Sequence, residues 1–216
     1  MGYKVSEHQW HNEQIAERVI KALRKNGFEA EYYGSSEAVV EAVDELISPG
    51  MSVGIGGSVT LQELNIPEKA AEKGAEVLNH NVPGLEPEVK LEIRRKQLTS
   101  DLFLCSTNGL TLDGHLVNID GTGNRVAAMT FGPKQVVVIA GVNKIVKDEE
   151  AAFQRIRFEA APKNNKRLNI PNPCASTGTC EDCAGKTRIC NIYSVIRKRP
   201  SVTNIKILVV GEDLGF

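Results

Sequence analysis

Between Glu7 and Asn26 the apolar residues Ile15, Val19 and Leu23 recur four apart, with Ile20 beside them. That spacing lines one face of a helix, and Gly27 follows where a left-handed terminal residue belongs. A second helical pattern carries Val39, Val40, Val43, Leu46 and Ile47; Ser35 or Ser36 can cap it, and Pro49-Gly50 ends it. The period then changes. MSVGIG (51–56), DLFLC (101–105), VVVIA (136–140) and IKILVV (205–210) are short apolar runs that read as buried strands. Helical patterns lie between them, from Pro87 through Leu98 and from Asp148 to Ala160. LTLDGHLV sets Asp113-Gly114 between alternating apolar residues, the strongest hairpin signal in the chain.

Strands alternating with helices predict an α/β fold with a largely parallel central sheet. Residues 161–200 break the rhythm. They are rich in Pro, Asn, Cys and Lys and predict an irregular, Cys-rich insertion before the last strand. The expected organisation is therefore one domain over residues 1–216, with 161–200 inserted in it.

Composition changes this picture little. The chain has 216 residues, 41% of them hydrophobic, enough for a substantial core. The 26 basic and 27 acidic residues nearly cancel, and no basic stripe calls for nucleic acid. The apolar runs are too short to span a bilayer, and MGYKVSEHQWHNEQ lacks the apolar core of a signal peptide. A cytoplasmic location without a membrane span is the expectation.

Two glycine-rich loops follow predicted strands. The first holds Gly54, Gly56, Gly57, Ser58 and Thr60, where backbone can approach a ligand and the amides of the next helix can hold an anion. It is neither the dinucleotide fingerprint nor a P-loop, and a plain strand-to-helix turn is the alternative. The second, NIDGTGNRVAAMTFG (118–132), opens with Gly121 and Gly123 and leads into Asn124, Arg125, Ala127 and Ala128. Arg125 can pair bidentately with a carboxylate or phosphate, or instead form a salt bridge to Asp120 or Asp113. Because ligands of open α/β sheets gather at the carboxyl ends of strands, both loops can border one crevice. Asn108 and Lys144 join them as a hydrogen-bonding and a cationic candidate. Asp113 suits a type I′ turn, and lone His115 a structural role. No Ser-His-Asp or Cys-His order suggests a triad.

Four of the five cysteines fall in NPCASTGTCEDCAGKTRICN, as Cys174-x5-Cys180-x2-Cys183-x6-Cys190. A Cys-x-x-Cys pair supplies two thiolates from one turn, and Gly178 and Gly185 let the chain fold back for the others. Zinc or an iron–sulfur cluster fits an all-sulfur shell; free or redox-paired thiols are the alternative. Cys105 ends an apolar strand and reads as a small buried residue.

GIGGSVTLQEL, GTGNRVAAMTFGPKQVVVIAGVNKIV and the cysteine run together resemble the lactate-utilisation (LUD) domain family. That family is similar in fold to ribose-5-phosphate isomerase, glucosamine-6-phosphate deaminase and coenzyme A transferases. The resemblance runs from about Glu7 to the terminal GEDLGF. It implies a three-layer α/β fold and a bacterial metabolic role linked to lactate oxidation. By analogy with that superfamily, Gly56, Gly57, Ser58 and Thr60 would cradle an anion. Coenzyme A transferases use a glutamate nucleophile, and Glu63 is the nearest candidate here.

Two functional expectations follow. One is an enzyme or enzyme component that binds a small anionic metabolite, a hydroxy or oxo acid or a phosphorylated compound, with redox equivalents passing through the cysteine-bound centre or a redox partner protein. The other is a non-catalytic accessory subunit, with a structural zinc site and a regulatory ligand in the crevice. A homo-oligomer is compatible with both.

Overall fold

The computed structural model describes residues 6–216. The first helix, α1 (Glu7–Lys25), begins with a reciprocal cap: the Ser6 hydroxyl accepts from the Gln9 amide, and the Gln9 side chain accepts from the Ser6 amide. Beyond it lie β1 (Glu29–Tyr33), α2 (Ser36–Glu45) and β2 (Ser52–Ile55), then α3 (Val59–Glu63), α4 (Ile66–Glu72), β3 (Glu76–Asn79) and α5 (Pro87–Gln97). The middle of the chain forms β4 (Leu102–Cys105), β5 (Gly109–Thr111), β6 (Leu116–Asp120), α6 (Asn124–Thr130) and β7 (Gln135–Gly141). It ends with β8 (Ile145–Val146), α7 (Glu149–Arg155), α8 (Ala161–Arg167), α9 (Cys174–Thr177), β9 (Ile192–Ile196) and β10 (Asn204–Val210).

Six strands pair in parallel in the order β1-β10-β7-β4-β2-β3. Period-two alternation sorts their side chains into two cores. In β7, Val136, Val138 and Ala140 join Val19 and Leu23 of α1 and Met129 of α6, whereas Val137 and Ile139 join Val39, Leu61 and Ile66 from the opposite helical layer. The result is the expected three-layer α/β fold.

A second, mixed sheet of order β8-β5-β6-β9 covers part of the α1 face. Leu110 and Leu116 point into the large core, while Val117 and Ile119 pack against Ala152 and Ile156. The predicted hairpin is β5–β6, with Gly109 opposite Val117. Its turn is not the expected type I′, because Asp113 is not among the residues with positive φ whereas Gly114 stands at φ 74°. The Gly114 amide donates to the Thr111 carbonyl and the Thr111 amide to the His115 carbonyl. These bonds define a three-residue loop with glycine at the left-handed position. A Cβ on Gly114 would stand 2.7 Å from the Leu23 nitrogen, so α1 lies directly on this turn.

Residues 161–200 contain α8, α9 and β9, separated by stretches without regular structure. The predicted helix starts at the Asp148 cap as α7, but it runs on through a π-helical turn (Ile156–Ala160) into α8. Pro162 lacks the amide that an ordinary α-turn would use there, and the wider turn absorbs the loss. Strand β9 closes the second sheet, pairing antiparallel with β6 from Leu116–Ile196 to Asp120–Ile192. No helix among the described residues is long and apolar enough to cross a membrane.

Candidate functional site

The segments that leave β2, β3, β4, β6 and β7 at their carboxyl ends converge on one crevice of about 370 Å³. Gly57, Ser58 and Thr60 line it from the first glycine loop, and Asn108, Asn124 and Arg125 from around the second. Lys144, just beyond β7, lies at its base. Gly56 does not line it. Its amide donates to the Leu104 carbonyl, and a Cβ there would stand 3.0 Å from the Cys105 Cβ, so this glycine serves strand packing.

Several predicted residues are already engaged by the protein. The Ser58 hydroxyl caps α3, accepting from the Leu61 amide. The Arg125 guanidinium donates to the Ser106 and Ile119 carbonyls and to Oδ1 of Asn108 and Asn118, while its Nε stands 3.5 Å from Asp120 Oδ2. The intramolecular alternative therefore describes this arginine: it ties the loop after β4 to β6. Asn118, fully buried, is the hub, because its Oδ1 also accepts from the Thr107 hydroxyl and the Asn108 amide. Glu63 accepts from the Gly215 amide at 2.7 Å, an exposed loop clamp. His115 pairs with Glu149, which also holds Arg197, and so fastens the hairpin to α7 and β9. Burial pushes the Cys105 thiol up to about 12, in keeping with an inert core residue.

Lys144 is different. Its ammonium position is buried, and Nζ lies 2.8 Å from both Thr60 Oγ1 and Ser106 Oγ. Those hydroxyls also reach carbonyls at longer range, Thr60 that of Leu214 at 3.4 Å and Ser106 that of Thr107 at 3.3 Å. No carboxylate among the described residues pairs with Lys144. Burial lowers its pKa to about 7, and the nearby charges of Arg155 and Arg125 act in the same direction.

Two further residues in the crevice, His80 and Arg94, escape the sequence pattern, and Asp120 enters that pattern only as a partner for Arg125. His80 is buried, with Nδ1 3.0 Å from the amide nitrogen of Gln97, a nitrogen that also lies 2.8 Å from the Ile55 and Leu78 carbonyls. An amide nitrogen cannot accept, so His80 Nδ1 does, which leaves the ring proton on Nε2 beside Gly57. Burial and the Arg94 charge lower the His80 pKa to about 4, and the imidazole is neutral. Arg94 of α5 lines the crevice with a buried Nε that has no partner among the described residues. Asp120 uses Oδ1 to hold the Thr122 and Gly123 amides, while its buried Oδ2 accepts no hydrogen bond among the described residues.

A second, more open depression lies at the opposite ends of the strands. Glu29, Asp101 and Lys134 are its charged residues, and the last two pair at 2.6 Å.

The cysteine run packs against this site. Asn191 donates through its amide to the Asp120 carbonyl and through its side chain to the Gly121 carbonyl, and Cys190 lines the crevice. The Asp182 amide donates to Cys180 Sγ at 3.4 Å, with Asp182 at φ 45°, as in one turn of a metal knuckle. Cys190 is pushed up to about 11 by burial and by neighbouring Cys180. As arranged, however, no three His, Cys, Asp or Glu side chains among the described residues converge on a point that would hold a metal ion. The four thiols lie near enough to act on one another's charge, with Cys174 and Cys190 both influenced by Cys180 and Cys183.

Known proteins bear on the fold and the family. A crystal structure of a DUF162 family protein from Deinococcus radiodurans is similar over 92% of this chain and 98% of that one, with a TM-score of 0.52 and 10% identity. Partial likenesses extend to eIF2B beta from Chaetomium thermophilum (16% identity, 54% of this chain and 44% of that one, TM-score 0.37) and to ribose 5-phosphate isomerase from Plasmodium falciparum (17% identity, 52% of each chain, TM-score 0.33). No curated protein matches the sequence. The LUD domain model matches residues 16–210, and the chain belongs to the LUD domain family.

Proposed function

We propose that residues 1–216 act as one LUD-type unit that takes a small anionic metabolite, a hydroxy or oxo acid or a phosphorylated compound, into the crevice. The observation that carries this reading is the Arg94 guanidinium, whose buried Nε has no partner among the described residues, in the same crevice as the His80 Nε2–H and Lys144. An unpaired buried donor on a cation is costly unless an acceptor arrives. A carboxylate or phosphate supplies acceptors in the fork geometry that Arg favours. Gly57 leaves the mouth of the site open beside His80, and Asn124 adds an amide at the start of α6. Arg125 contributes charge and holds the walls; its donors serve the protein. For an enzyme or enzyme component, Asp120 Oδ2 is the available proton acceptor.

The test is thermal unfolding with lactate, pyruvate, inorganic phosphate and a sugar phosphate, on the wild type and Arg94→Gln. A ligand at a hundred times its dissociation constant stabilises by about 2.7 kcal/mol. We expect at least one of these anions to do so, and Arg94→Gln to lose the effect with its own unliganded stability nearly unchanged. Binding that survives in Arg94→Gln, or no binding by any anion, refutes the reading.

Zinc or iron–sulfur binding by Cys174, Cys180, Cys183 and Cys190 requires the thiols to draw together, and the Cys180 knuckle bond is its support. Metal and acid-labile sulfide analysis of protein purified without oxygen decides it. Matched iron and sulfide favours a redox role with a partner protein. Stoichiometric zinc without colour favours the accessory-subunit reading, in which the loop is a structural clip. Free thiols without metal remove the centre from both.

A further inference from the structure

We infer that Lys144 is a covalent nucleophile, and that the metabolite of this crevice carries a carbonyl group which Lys144 converts to an imine. The inference rests on the crevice being a ligand site and narrows its ligand to anionic carbonyl compounds, such as 2-oxo acids and phosphorylated ketones.

The hydrogen-bond count around Nζ leads to it. Thr60 and Ser106 each hold a hydroxyl 2.8 Å from Nζ, and their contacts with carbonyls are longer, at 3.4 and 3.3 Å. Among the described residues two hydroxyls and no carboxylate pair with Nζ, and each hydroxyl can accept from a neutral amine or donate to it, so the uncharged form is satisfied on a side chain that lines the crevice. An ammonium there would keep a third proton with no acceptor among the described residues. It would also sit near the Arg125 and Arg155 cations, with Glu63 as the opposing carboxylate and Cys105 as the neighbouring thiol. Burial among like charges is the environment that activates a lysine amine. At neutral pH about half of such a group is free amine, against on the order of one in a few thousand for an exposed lysine.

The step balances without another reactant. The Nζ lone pair attacks the carbonyl carbon, the C=O π pair moves to oxygen, and one Nζ proton passes to that oxygen. The carbinolamine then loses its hydroxyl together with the remaining N–H proton as water, leaving C=N. The metabolite's carboxylate or phosphate would meet Arg94 and the His80 Nε2–H, fixing the carbonyl while the amine attacks.

The experiment is reductive trapping of the intact protein with pyruvate and, separately, dihydroxyacetone phosphate, each with cyanoborohydride at neutral pH. Intact-mass measurement and peptide mapping follow. One reduced adduct per chain, located on Lys144 and absent in Lys144→Arg, is expected. Because the mapping is done on the wild type, the result does not depend on the variant folding. A probe that raises the unfolding temperature but leaves Lys144 unmodified, or labels only exposed lysines, overturns the imine and leaves the crevice reading standing. Failure of both probes to label Lys144, with no anion stabilising the protein, overturns both.

Discussion

Replacing Arg125 by alanine separates a structural arginine from a ligand-binding one. The guanidinium is 11% exposed and its partner Asp120 is 9% exposed, so both are largely shielded from solvent screening. The change removes donors from two carbonyls and from the Asn108 and Asn118 side chains, and leaves a buried carboxylate without its cation. Hydrogen bonds from a charged donor contribute roughly 1.5–3 kcal/mol each, but they share one side chain and do not add. Breaking a buried ion pair from one side costs about 3–5 kcal/mol, and we take about 4 kcal/mol for the whole change. In a chain of this size that lowers the melting temperature by roughly 8–16 °C. Urea and thermal unfolding of the wild type, Arg125→Ala and Arg125→Lys measure it. Lysine keeps the charge and loses the fork, so it should recover only part of the loss. A double-mutant cycle with Asn118→Ala should give a coupling above about 1 kcal/mol. The reasoning fails if Arg125→Ala unfolds within about 1 kcal/mol of the wild type while losing metabolite binding, because Arg125 would then be a ligand group after all.

Gly132→Ala should cost about 2–4 kcal/mol in chemical denaturation, because the residue sits at φ 131° and a Cβ would stand 2.2 Å from the Leu98 carbonyl oxygen; a change below about 0.5 kcal/mol would falsify that account. His80 makes stability pH-dependent. Its folded pKa of about 4 lies below its unfolded value of 6.5, so between those values the unfolded chain binds the extra proton. Stability is therefore full above pH 6.5 and falls as the pH drops toward 4, by a total of ~3 kcal/mol. Arg94, Lys90, Asp120 and Gln97 surround the ring and are unchanged in His80→Gln, so that variant should lose this slope in a pH series of unfolding curves. An unaltered slope assigns the acid sensitivity to other groups.

The interior of the fold was legible in the sequence because interior strands must be apolar on both faces. MSVGIG, DLFLC, VVVIA and IKILVV are adjacent members of the parallel sheet. The strands that escaped notice, β1, β3, β8 and β9, all lie at sheet edges. There one flank needs no partner, and polar residues such as Glu29, Glu31 and Glu76 are tolerated. The site divides along the same line. Thr60, Asn124, Arg125 and Lys144 follow strands that the pattern revealed, and the structure brings them to one crevice. His80 and Asn81 follow β3, and Arg94 lies on the helix after it, among charges that read as a solvated face. With β3 unseen, nothing in the local sequence aimed them inward. Hydrogen-bond accounting was equally out of reach: only the folded structure shows that both terminal nitrogens of Arg125 donate to the protein, while Asp120 Oδ2 meets Arg125 Nε only at 3.5 Å.

The π-helical turn between α7 and α8 sets the phase of everything after it. An α-helix advances about 100° per residue, so one extra residue in a turn swings the following face by that angle. The swing sends Asn164 and Arg167 toward the crevice alongside Ala160 and Ala161, while Asn165 turns into the interior and holds Asn172. Deleting a single residue from 156–160 would leave a regular helix of almost the same length, yet rotate that polar pair off the crevice and pull the Asn165–Asn172 anchor of the cysteine run out of register. The shape of one wall of the site thus depends on a single residue of helical offset within 156–160, a turn whose Ile156 and Ala160 themselves line the crevice.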